Sequence, residues 1–413
     1  MFRKFAVHDL RPGMYIADTA GSALDSPFMY STEGLIKTGE EVKDIVGQGF
    51  AEAVVDLDRS YKEWAALYGA SAEQLFASVL EQKASSAGPP QSPSDPLEPR
   101  VELREELPRA AAIYSHALKT TQRIIQDFKN NGELDVKAGS VVVKDIVSSV
   151  LRNLNALQAV SKLRSQDDYT FSHCVNVSML TAMFVRNLGH SDDEVFDAGM
   201  GGFFHDLGKA RMPSKILTAS RRLTAEEFAV MRGHPRIGHD YLVKVPELSD
   251  TVRLAALEHH ERIDGTGYPD AKQGEDISRL GKIVSIVDVY DALSSRRAYK
   301  DAILPYRVLC LLYDMRTGDL DPELTEQFIR CMGIYPAGSI VKLSTGEIGV
   351  VTQISRAAPL QPKVLIVRDS RAAPTAPHGL DLAAAGEISI VACLEHGAFG
   401  VYPERVLKIA TTP

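Results

Sequence analysis

Cysteine is scarce in this chain of 413 residues, which contains only four. They are Cys174, Cys310, Cys331 and Cys393, and no two of them are closely spaced. This distribution excludes a disulfide framework and a thiolate zinc cluster, and it is consistent with a reducing compartment.

Long apolar runs are also missing. Residues 175–185 form one of the most apolar stretches, but Asn176, Ser178 and Thr181 interrupt it, and a membrane helix needs about 20 apolar residues. The N-terminus lacks an apolar core followed by a small-residue cleavage site. We therefore expect a soluble cytoplasmic protein that does not associate with membranes.

An excess of positive charge is absent as well. The chain has 46 Lys and Arg against 54 Asp and Glu, a net charge of -8, and 45% of its residues are hydrophobic. This composition is that of a globular chain of two or three domains, and it argues against binding to nucleic acid polymers. A phosphate substrate would have to be attracted by local positive charge.

One segment is rich in proline. Residues 84–99 read ASSAGPPQSPSDPLEP, which favours a semi-rigid spacer. We predict a linker over residues 84–100.

The part before this linker, residues 1–83, reads as a small α+β module. Its strand-like runs lie at 14–17 and 53–57, with a short helix at 40–46 and a longer one at 61–82. It contains no cluster of catalytic residue types, so we expect it to be regulatory.

Residues 101–335 have helical periodicity and predict an all-α domain. Apolar residues recur at steps of three and four, as at positions 143, 146, 147, 150, 151, 154 and 157. Thr224 and Glu227 form a predicted capping box for a helix through Met231. Gly233 and Pro235 should end that helix and leave His234 at its end.

The last part, residues 336–413, changes to short strands separated by turn residues. Strand-like runs lie at 339–343, 348–351 and 364–367, whereas the final forty residues are only weakly informative. We predict a small β-rich appendage.

The helical domain carries residues of the metal-ligand type in five separate places, spaced 25–32 residues apart. This spacing suits one place per helix or helix end, with the ligands converging on a bundle interior. The candidates are His173, His205, Asp206, His234, His259, His260 and Asp288.

Taken singly, these residues have simpler explanations. A lone histidine on a helix is more often a hydrogen-bonded core or surface residue, and Asp288, in an apolar run, could pair with an arginine of a neighbouring helix. Together they form a nitrogen and oxygen ligand set that suits iron, manganese or zinc. Seven ligands suit two ions, with Asp206 placed to bridge them, and two ions about 3.5–4 Å apart favour phosphoester hydrolysis.

Two motifs resemble a known family. Residues 205–209 read His-Asp-Leu-Gly-Lys and resemble the signature of the HD hydrolase superfamily, whereas residues 259–269 read HHERIDGTGYP and resemble the motif of the HD-GYP subfamily. Residues 169–177 and 288–300 are similar to the first and last ligand helices of that subfamily. The resemblance covers residues 140–330 and implies an HD-type helical bundle. The N-terminal module resembles, more loosely, a domain of unknown function that often precedes HD-GYP domains.

The resemblance implies a metal-dependent phosphodiesterase that hydrolyses the bacterial second messenger cyclic di-GMP to pGpG, and often on to GMP. It implies that the seven candidates bind two ions, for which we expect iron or manganese, with Asp206 as the bridge. Lys209 would face the scissile phosphate and assist the leaving oxygen. It implies that Arg297 and Lys300 contact the substrate. It also implies that a loop shapes the rim of the site, formed by Gly265, Gly267, Tyr268 and Pro269.

The chain departs from the family pattern at a few positions. Tyr169 replaces a glutamate that supports a third metal in some members, so two ions are expected. Residues 218–222 lack a common Lys-Pro-Gly, and Ala298 replaces a usual proline. Glu261 and Asp264 are either partners of the ligands or exposed acids.

Two other functions stay open. The chain could be a receptor that binds cyclic di-GMP without hydrolysing it, or an HD phosphohydrolase acting on another nucleotide. A homodimer, or a signalling-protein partner bound through the N-terminal module, is also compatible with the sequence.

Overall fold

The computed structural model describes most of the chain. The described residues are 2–17, 29–56, 59–60, 99–161, 169–219, 221, 223–295, 304–316, 318–355 and 358–410. The predicted helix at 61–82 and nearly all of the predicted linker lie outside these residues. So do Arg297, Ala298 and Lys300.

Helices dominate the middle of the chain, as the periodicity predicts. The helices are α1 (Gly39–Gly47), α2 (Leu103–Asn131), α3 (Val136–Arg152), α4 (Leu154–Ser161), α5 (Tyr169–Asn187), α6 (Asp192–Phe204), α7 (Ser214–Leu217), α8 (Ala225–Met231), α9 (His234–Leu242), α10 (Asp250–Glu258), α11 (Arg279–Ser294), α12 (Pro305–Met315), α13 (Pro322–Met332) and α14 (Pro403–Ala410). Short 3-10 helices lie at Val7–Asp9, Leu207–Arg211, Gly274–Asp276 and Ala398–Gly400.

Among the described residues, the strands lie toward the two ends of the chain. They are β1 (Phe2–Ala6), β2 (Tyr15–Ile16), β3 (Met29–Tyr30), β4 (Gly34–Leu35), β5 (Glu52–Asp56), β6 (Ile340–Leu343), β7 (Ile348–Gln353), β8 (Lys363–Arg368), β9 (Pro374–Asp381) and β10 (Ile390–Leu394). The predicted class, a mainly α chain with a small α+β unit at one end and a β unit at the other, is confirmed.

The N-terminal sheet is organised around β5. This strand pairs antiparallel with β1 and β2 and parallel with β3, and β4 joins the sheet through β2. The prediction found β2, β5 and α1 but not β1, β3 or β4. Two-residue strands are too short to show an alternating pattern, and Arg3 and Lys4 hide the apolar character of β1.

The break between α3 and α4 lies inside one apolar repeat. The apolar repeat from position 143 to 157 runs through two helices, because the chain becomes extended at Asn153 (φ -158°, ψ 102°). The Asn153 side chain donates to the carbonyl of Val101 (2.9 Å) and accepts from the amide of Asn155 (3.0 Å). These bonds replace the helical ones and turn α4 away from α3.

The C-terminal sheet has the order β10-β6-β7-β8-β9, and its pairs are all antiparallel. The three predicted strands correspond to β6, β7 and β8. The sequence did not indicate β9, because it is a mostly exposed edge strand containing Pro374, Pro377 and Gly379. Edge strands tolerate proline, which weakens their pattern.

The N-terminal sheet contacts the helical region through ion pairs. Lys4 Nζ lies 3.0 Å from a carboxylate oxygen of Asp319, and it also lies 2.7 Å from Glu52 of its own sheet. Arg3 lies 3.3 Å from Asp314, at the end of α12. Strand β1 therefore packs beside α12.

Two predicted absences can be compared with the described residues. Within that part of the chain, no helix combines the length and the apolar character needed to cross a membrane. Cys174, Cys310, Cys331 and Cys393 form no disulfide bond in this part of the chain.

A buried charge joins α2 to α3. The Glu106 side chain is fully buried and accepts hydrogen bonds from Ser149 Oγ (2.7 Å) and from Nε and Nη2 of Arg152 (both 2.8 Å). A buried carboxylate is tolerated only when it is paired in this way.

We expect Arg152→Ala to lower the free energy of unfolding by about 2–4 kcal/mol, because it leaves Glu106 charged and partly unpaired in the core. Urea denaturation followed by circular dichroism measures this. Arg123→Ala is the control, because Arg123 pairs with Asp135 on the surface (3.3 Å) and should cost under about 1 kcal/mol. Equal effects of the two variants would contradict this account.

Candidate metal centre

The seven predicted ligands lie together at the centre of the helical domain. His173 is on α5, Asp288 is on α11, and the other five lie at helix ends. Each of the seven is at most 7% exposed. Histidines and carboxylates rarely cluster in a core without a ligand or a network of partners.

The structure corrects the predicted position of the helix ends. The helix that begins with the Thr224–Glu227 capping box does end at Met231, but Pro235 lies in the first turn of α9 instead of terminating α8. His234 therefore begins a helix. His259 and His260 follow the end of α10 at Glu258 and begin the turn that leads to the Gly-Tyr-Pro loop.

A glycine contact brings the HD motif against α9. A Cβ atom on Gly208 would overlap the carbonyl oxygen of His234 and lie 2.7 Å from the amide nitrogen of Gly238. Only glycine permits this approach, which places His234 Nε2 3.2 Å from Asp206 Oδ1. The sequence contained this signal in the glycine of His-Asp-Leu-Gly-Lys, but no role was predicted for it.

Backbone carbonyls orient three of the imidazole rings. Each ring lies with Nδ1 near the carbonyl oxygen three residues earlier, and because that oxygen only accepts, Nδ1 donates. The pairs are His205 with Gly202 (2.7 Å), His234 with Met231 (2.8 Å) and His259 with Ala256 (2.9 Å). In the neutral ring, this bond leaves Nε2 as a bare lone pair, the form that binds metals.

Three acceptor atoms meet on one side of the cluster. His234 Nε2 and His259 Nε2 are 3.2 Å apart, and Asp206 Oδ1 lies 3.2 Å and 3.5 Å from them. Asp206 Oδ1 is buried and has no hydrogen-bond partner among the described residues. Since neither nitrogen has a proton to donate, the three lone pairs repel one another unless a cation lies between them. These residues therefore fit a metal ion.

A second group faces the other oxygen of Asp206. Oδ2 lies 3.6 Å from His173 Nε2 and 3.4 Å from His205 Nε2, and those two nitrogens are 3.3 Å apart. Asp288 Oδ1 lies 3.1 Å from His173 Nε2. Asp206 thus presents one oxygen to each group, the geometry expected of a carboxylate shared by two ions.

His260 completes the set. It lies with Asp206, His234 and His259 in a group whose donor atoms are within 4.8 Å of one another, and its Nδ1 is 3.9 Å from Asp288 Oδ2. Nitrogen and oxygen donors without a thiolate suit divalent transition metals.

Burial controls the charge of most of these imidazoles. It lowers the pKa of His259 to about 4, and it lowers the pKa of His234 and moves that of His260 well below its usual value. These three rings are therefore neutral at pH 7 and ready to bind a cation without losing a proton.

Neighbouring charged groups set the pKa values of Asp206 and His173. Burial opposes the charge of Asp206, but Lys209 and His205 hold its pKa well below the usual value. Burial also opposes the charge of His173, but hydrogen bonds to Asp288 and Asp291 raise its pKa to about 9. A cation that binds His173 at neutral pH would therefore displace a proton.

Lys209 lies at the edge of the cluster. Its Nζ donates to Asp206 Oδ2 at 2.6 Å, and its side chain is 30% exposed. The ammonium group is thus next to the cluster and partly open to solvent.

The Gly-Tyr-Pro loop packs against the same cluster. The Tyr268 ring stacks on His260 with centroids 4.6 Å apart, and the Tyr268 amide donates to the His260 carbonyl (3.1 Å). A Cβ on Gly267 would lie 2.6 Å from that carbonyl oxygen, so glycine is needed there. Gly265 has a left-handed φ of 84°, and Pro269 follows Tyr268 at the rim.

The two acidic residues of the loop have different surroundings. Glu261 is buried and accepts from the amides of Asp270 (2.7 Å) and Lys272 (3.0 Å), which fixes the end of the loop. Asp264 is exposed and accepts from the amide and hydroxyl of Thr266. Both shape the loop.

Sequence reasoning missed Asp291. This buried carboxylate accepts from His173 Nδ1 (2.8 Å) and from Asn176 Nδ2 (2.9 Å), and Tyr114 donates to Asn176 (2.8 Å). It orients His173 as the backbone carbonyls orient the other rings. The available signal was a second acid three residues after Asp288 in an apolar helix.

For three residues of the sequence analysis, the position of the side chain relative to the cluster is not described. Arg297 and Lys300 lie outside the described residues, and Tyr169 is described only as the first residue of α5.

Three family models match different parts of the chain. Residues 141–324 match the family model described as HD domain, residues 2–138 match a domain of unknown function (DUF3391), and residues 340–399 match a KOW domain associated with HD domain.

Similar proteins match over different lengths. The chain is 32% identical over 391 residues to a cyclic di-GMP phosphodiesterase of Pseudomonas aeruginosa, covering 94% of this chain and 90% of that protein. It is 37% identical over 166 residues to a cyclic di-GMP phosphodiesterase response regulator of Xanthomonas campestris, covering 40% and 44%. A solved HDG"Y"P protein from Bdellovibrio bacteriovorus aligns with a TM-score of 0.45 and 16% identity, over 79% of this chain and 98% of that chain.

We expect Asp291→Asn to weaken metal binding by about 10- to 100-fold, because an amide accepts less strongly from His173 Nδ1 than a carboxylate does. Competition with a chelator, followed by elemental analysis, measures the affinity. Tyr290→Phe is the matched control on the same helix, because it removes a buried hydroxyl that has no hydrogen-bond partner among the described residues. Unchanged affinity in a folded Asp291→Asn protein would exclude this role.

Proposed function

The chain belongs to the HD-GYP family of the HD hydrolase superfamily, and we propose that it hydrolyses cyclic di-GMP at the buried metal centre. The observation that carries this proposal is the convergence of His234 Nε2, His259 Nε2 and Asp206 Oδ1 without a proton between them. The match to a phosphodiesterase along 94% of the chain gives the substrate.

We assign the seven candidates to two groups that share Asp206. His234, His259 and His260 form one group with Oδ1, and His173, His205 and Asp288 form the other with Oδ2. Two divalent ions, iron or manganese in this proposal, would supply Lewis acidity for activating water and for neutralising the phosphate. The protein residues fix the charge and direction of every donor atom.

Lys209 acts on the substrate in this proposal. Its ammonium lies 2.6 Å from Asp206 Oδ2 and is partly exposed, so it reaches a phosphate that lies against the centre. There it stabilises negative charge and donates a proton to the leaving ribose oxygen. Such charge stabilisation is strongest where water is excluded.

The loop residues Gly265, Gly267, Tyr268 and Pro269 form the rim in this proposal. The Tyr268 ring, stacked on His260, presents an aromatic surface beside the centre. Arg297 and Lys300 complete the contacts to phosphate or guanine, as the family resemblance implies. The first product is pGpG, and a second hydrolysis would yield GMP.

Hydrolysis is favoured over the two alternatives. A receptor without activity has no need for the full set of seven ligand-type residues, all of them buried, with Lys209 beside them. An HD enzyme for another nucleotide has no need for the Gly-Tyr-Pro loop that packs on His260.

Product analysis by chromatography tests this function. Protein loaded anaerobically with iron or manganese should convert cyclic di-GMP to pGpG or GMP, and His205→Ala/Asp206→Ala should lower the rate by at least about 1,000-fold, because it removes ligands of both groups. Binding of cyclic di-GMP without turnover would contradict hydrolysis and favour the receptor. Turnover of another cyclic dinucleotide alone would contradict the substrate.

We further propose that residues 1–83 regulate the centre, as a module joined by the 84–100 linker to the catalytic domain at 101–335, with the appendage at 336–413. A partner protein or a second copy of the chain would act through this module. The supporting contact starts at Lys4, which binds the Asp319 carboxylate. The Asp319 carbonyl in turn accepts from the amide of Ile263 (3.1 Å), three residues after His260.

We expect Lys4→Ala to reduce kcat/KM for cyclic di-GMP by about 2- to 30-fold at unchanged metal content, because it releases Asp319 and loosens the loop. Steady-state kinetics with elemental analysis measures both quantities. Lys37→Ala, at an exposed position of the same module, is the control. Identical kinetics of the Lys4 variant and the wild type would exclude coupling through this contact.

A further inference from the structure

We propose that Arg232 is a specificity-determining residue that binds the phosphate of cyclic di-GMP that is not being cleaved. This inference rests on the proposed function and adds a substrate contact to it. Arg232 lies in the turn between α8 and α9, two residues before His234. A side chain at this position is held beside the metal centre without being one of its ligands.

The guanidinium group of Arg232 is placed on the loop that shapes the site. Its central carbon lies 5.0 Å from the centroid of the Tyr268 ring, over that ring. Tyr268 is itself stacked on His260. The contact orders the arginine and uses none of its N–H donors, because a cation bound to an aromatic ring interacts through the ring electrons.

The charge of Arg232 is not matched by a carboxylate in the described part of the chain. Other cations around the centre have polar partners there: Lys209 pairs with Asp206, Arg236 with Asp270, Lys272 with Glu258, and Arg262 donates to Ser285. Among the described residues, Arg232 has no side-chain hydrogen bond or ion pair. Its fork of donors is available to a ligand.

This charge fits the substrate. The whole chain carries a net charge of -8, so a dinucleotide with two phosphates needs local positive charge to approach. The metal centre accounts for the phosphate that is cleaved. Arg232 is half-buried, and only the Tyr268 ring separates it from His260. It is therefore placed for the other phosphate, which arginine binds with two parallel hydrogen bonds.

A purely structural role makes a different prediction. If Arg232 only held Tyr268 in position, its loss would disturb the centre for every phosphodiester. If it binds the second phosphate, a substrate with a single phosphate does not need it. Bis(p-nitrophenyl) phosphate, a small single phosphodiester, separates the two roles.

The experiment compares metal-loaded wild type, Arg232→Gln and Arg232→Lys on cyclic di-GMP and on bis(p-nitrophenyl) phosphate. We expect Arg232→Gln to raise KM for cyclic di-GMP by about 10- to 100-fold, the loss of a charge-assisted contact. Its activity on the small diester and its metal content should stay within twofold of the wild type. The KM of Arg232→Lys for cyclic di-GMP should lie between those of the wild type and Arg232→Gln, because lysine keeps the charge but not the two parallel donors.

The control is Arg236→Gln, which changes the other arginine two residues from His234. Arg236 pairs with Asp270, so its substitution should change the KM for cyclic di-GMP and the activity on the small diester only little. An equal loss on both substrates, or an unchanged KM for cyclic di-GMP, would overturn the proposal. Wild type that cleaves the small diester but not cyclic di-GMP would instead refute the proposed function.

Discussion

The buried carboxylate of Asp206 is the group on which the rest of this structure depends. One of its oxygens faces the Nε2 atoms of His234 and His259, and the other faces those of His173 and His205. Burying this charge beside the nitrogen lone pairs of His234 and His259 is unfavourable unless cations are present. The helical domain is therefore arranged to bind cations, and Lys209 supplies only part of the positive charge that the cluster needs.

Helix ends allow this cluster to form. A histidine at the end of a helix can turn its Nδ1 to a carbonyl of its own chain three residues earlier, as His205, His234 and His259 do. Each ring is then oriented by a local bond and leaves Nε2 for the centre. His173 lies inside a helix where no carbonyl is free, so Asp291 replaces the carbonyl.

The N-terminal sheet is connected to the centre through the loop after His260. Tyr268 packs on that histidine, Glu261 fixes the end of the loop, and Ile263 donates to the carbonyl of Asp319. Asp319 is bound by Lys4 of the N-terminal sheet. The same loop therefore packs against the ligand cluster and receives the contact from the N-terminal module, which connects that module to the centre.

The sequence by itself determined the fold class, because periodicity of three and four residues in the middle and short apolar runs at the ends are local properties. It also supplied the seven candidate ligands, because histidines and acids recur at five places spaced 25–32 residues apart and coincide with the HD and HD-GYP motifs, although each residue taken singly has a simpler explanation. Tertiary structure alone decided where the helices end around His234 and His259, that Gly208 must meet α9, and that Asp291 and Arg232 lie beside the ligands. These features depend on contacts between residues far apart in the chain. A local sequence pattern does not specify which distant residues come into contact.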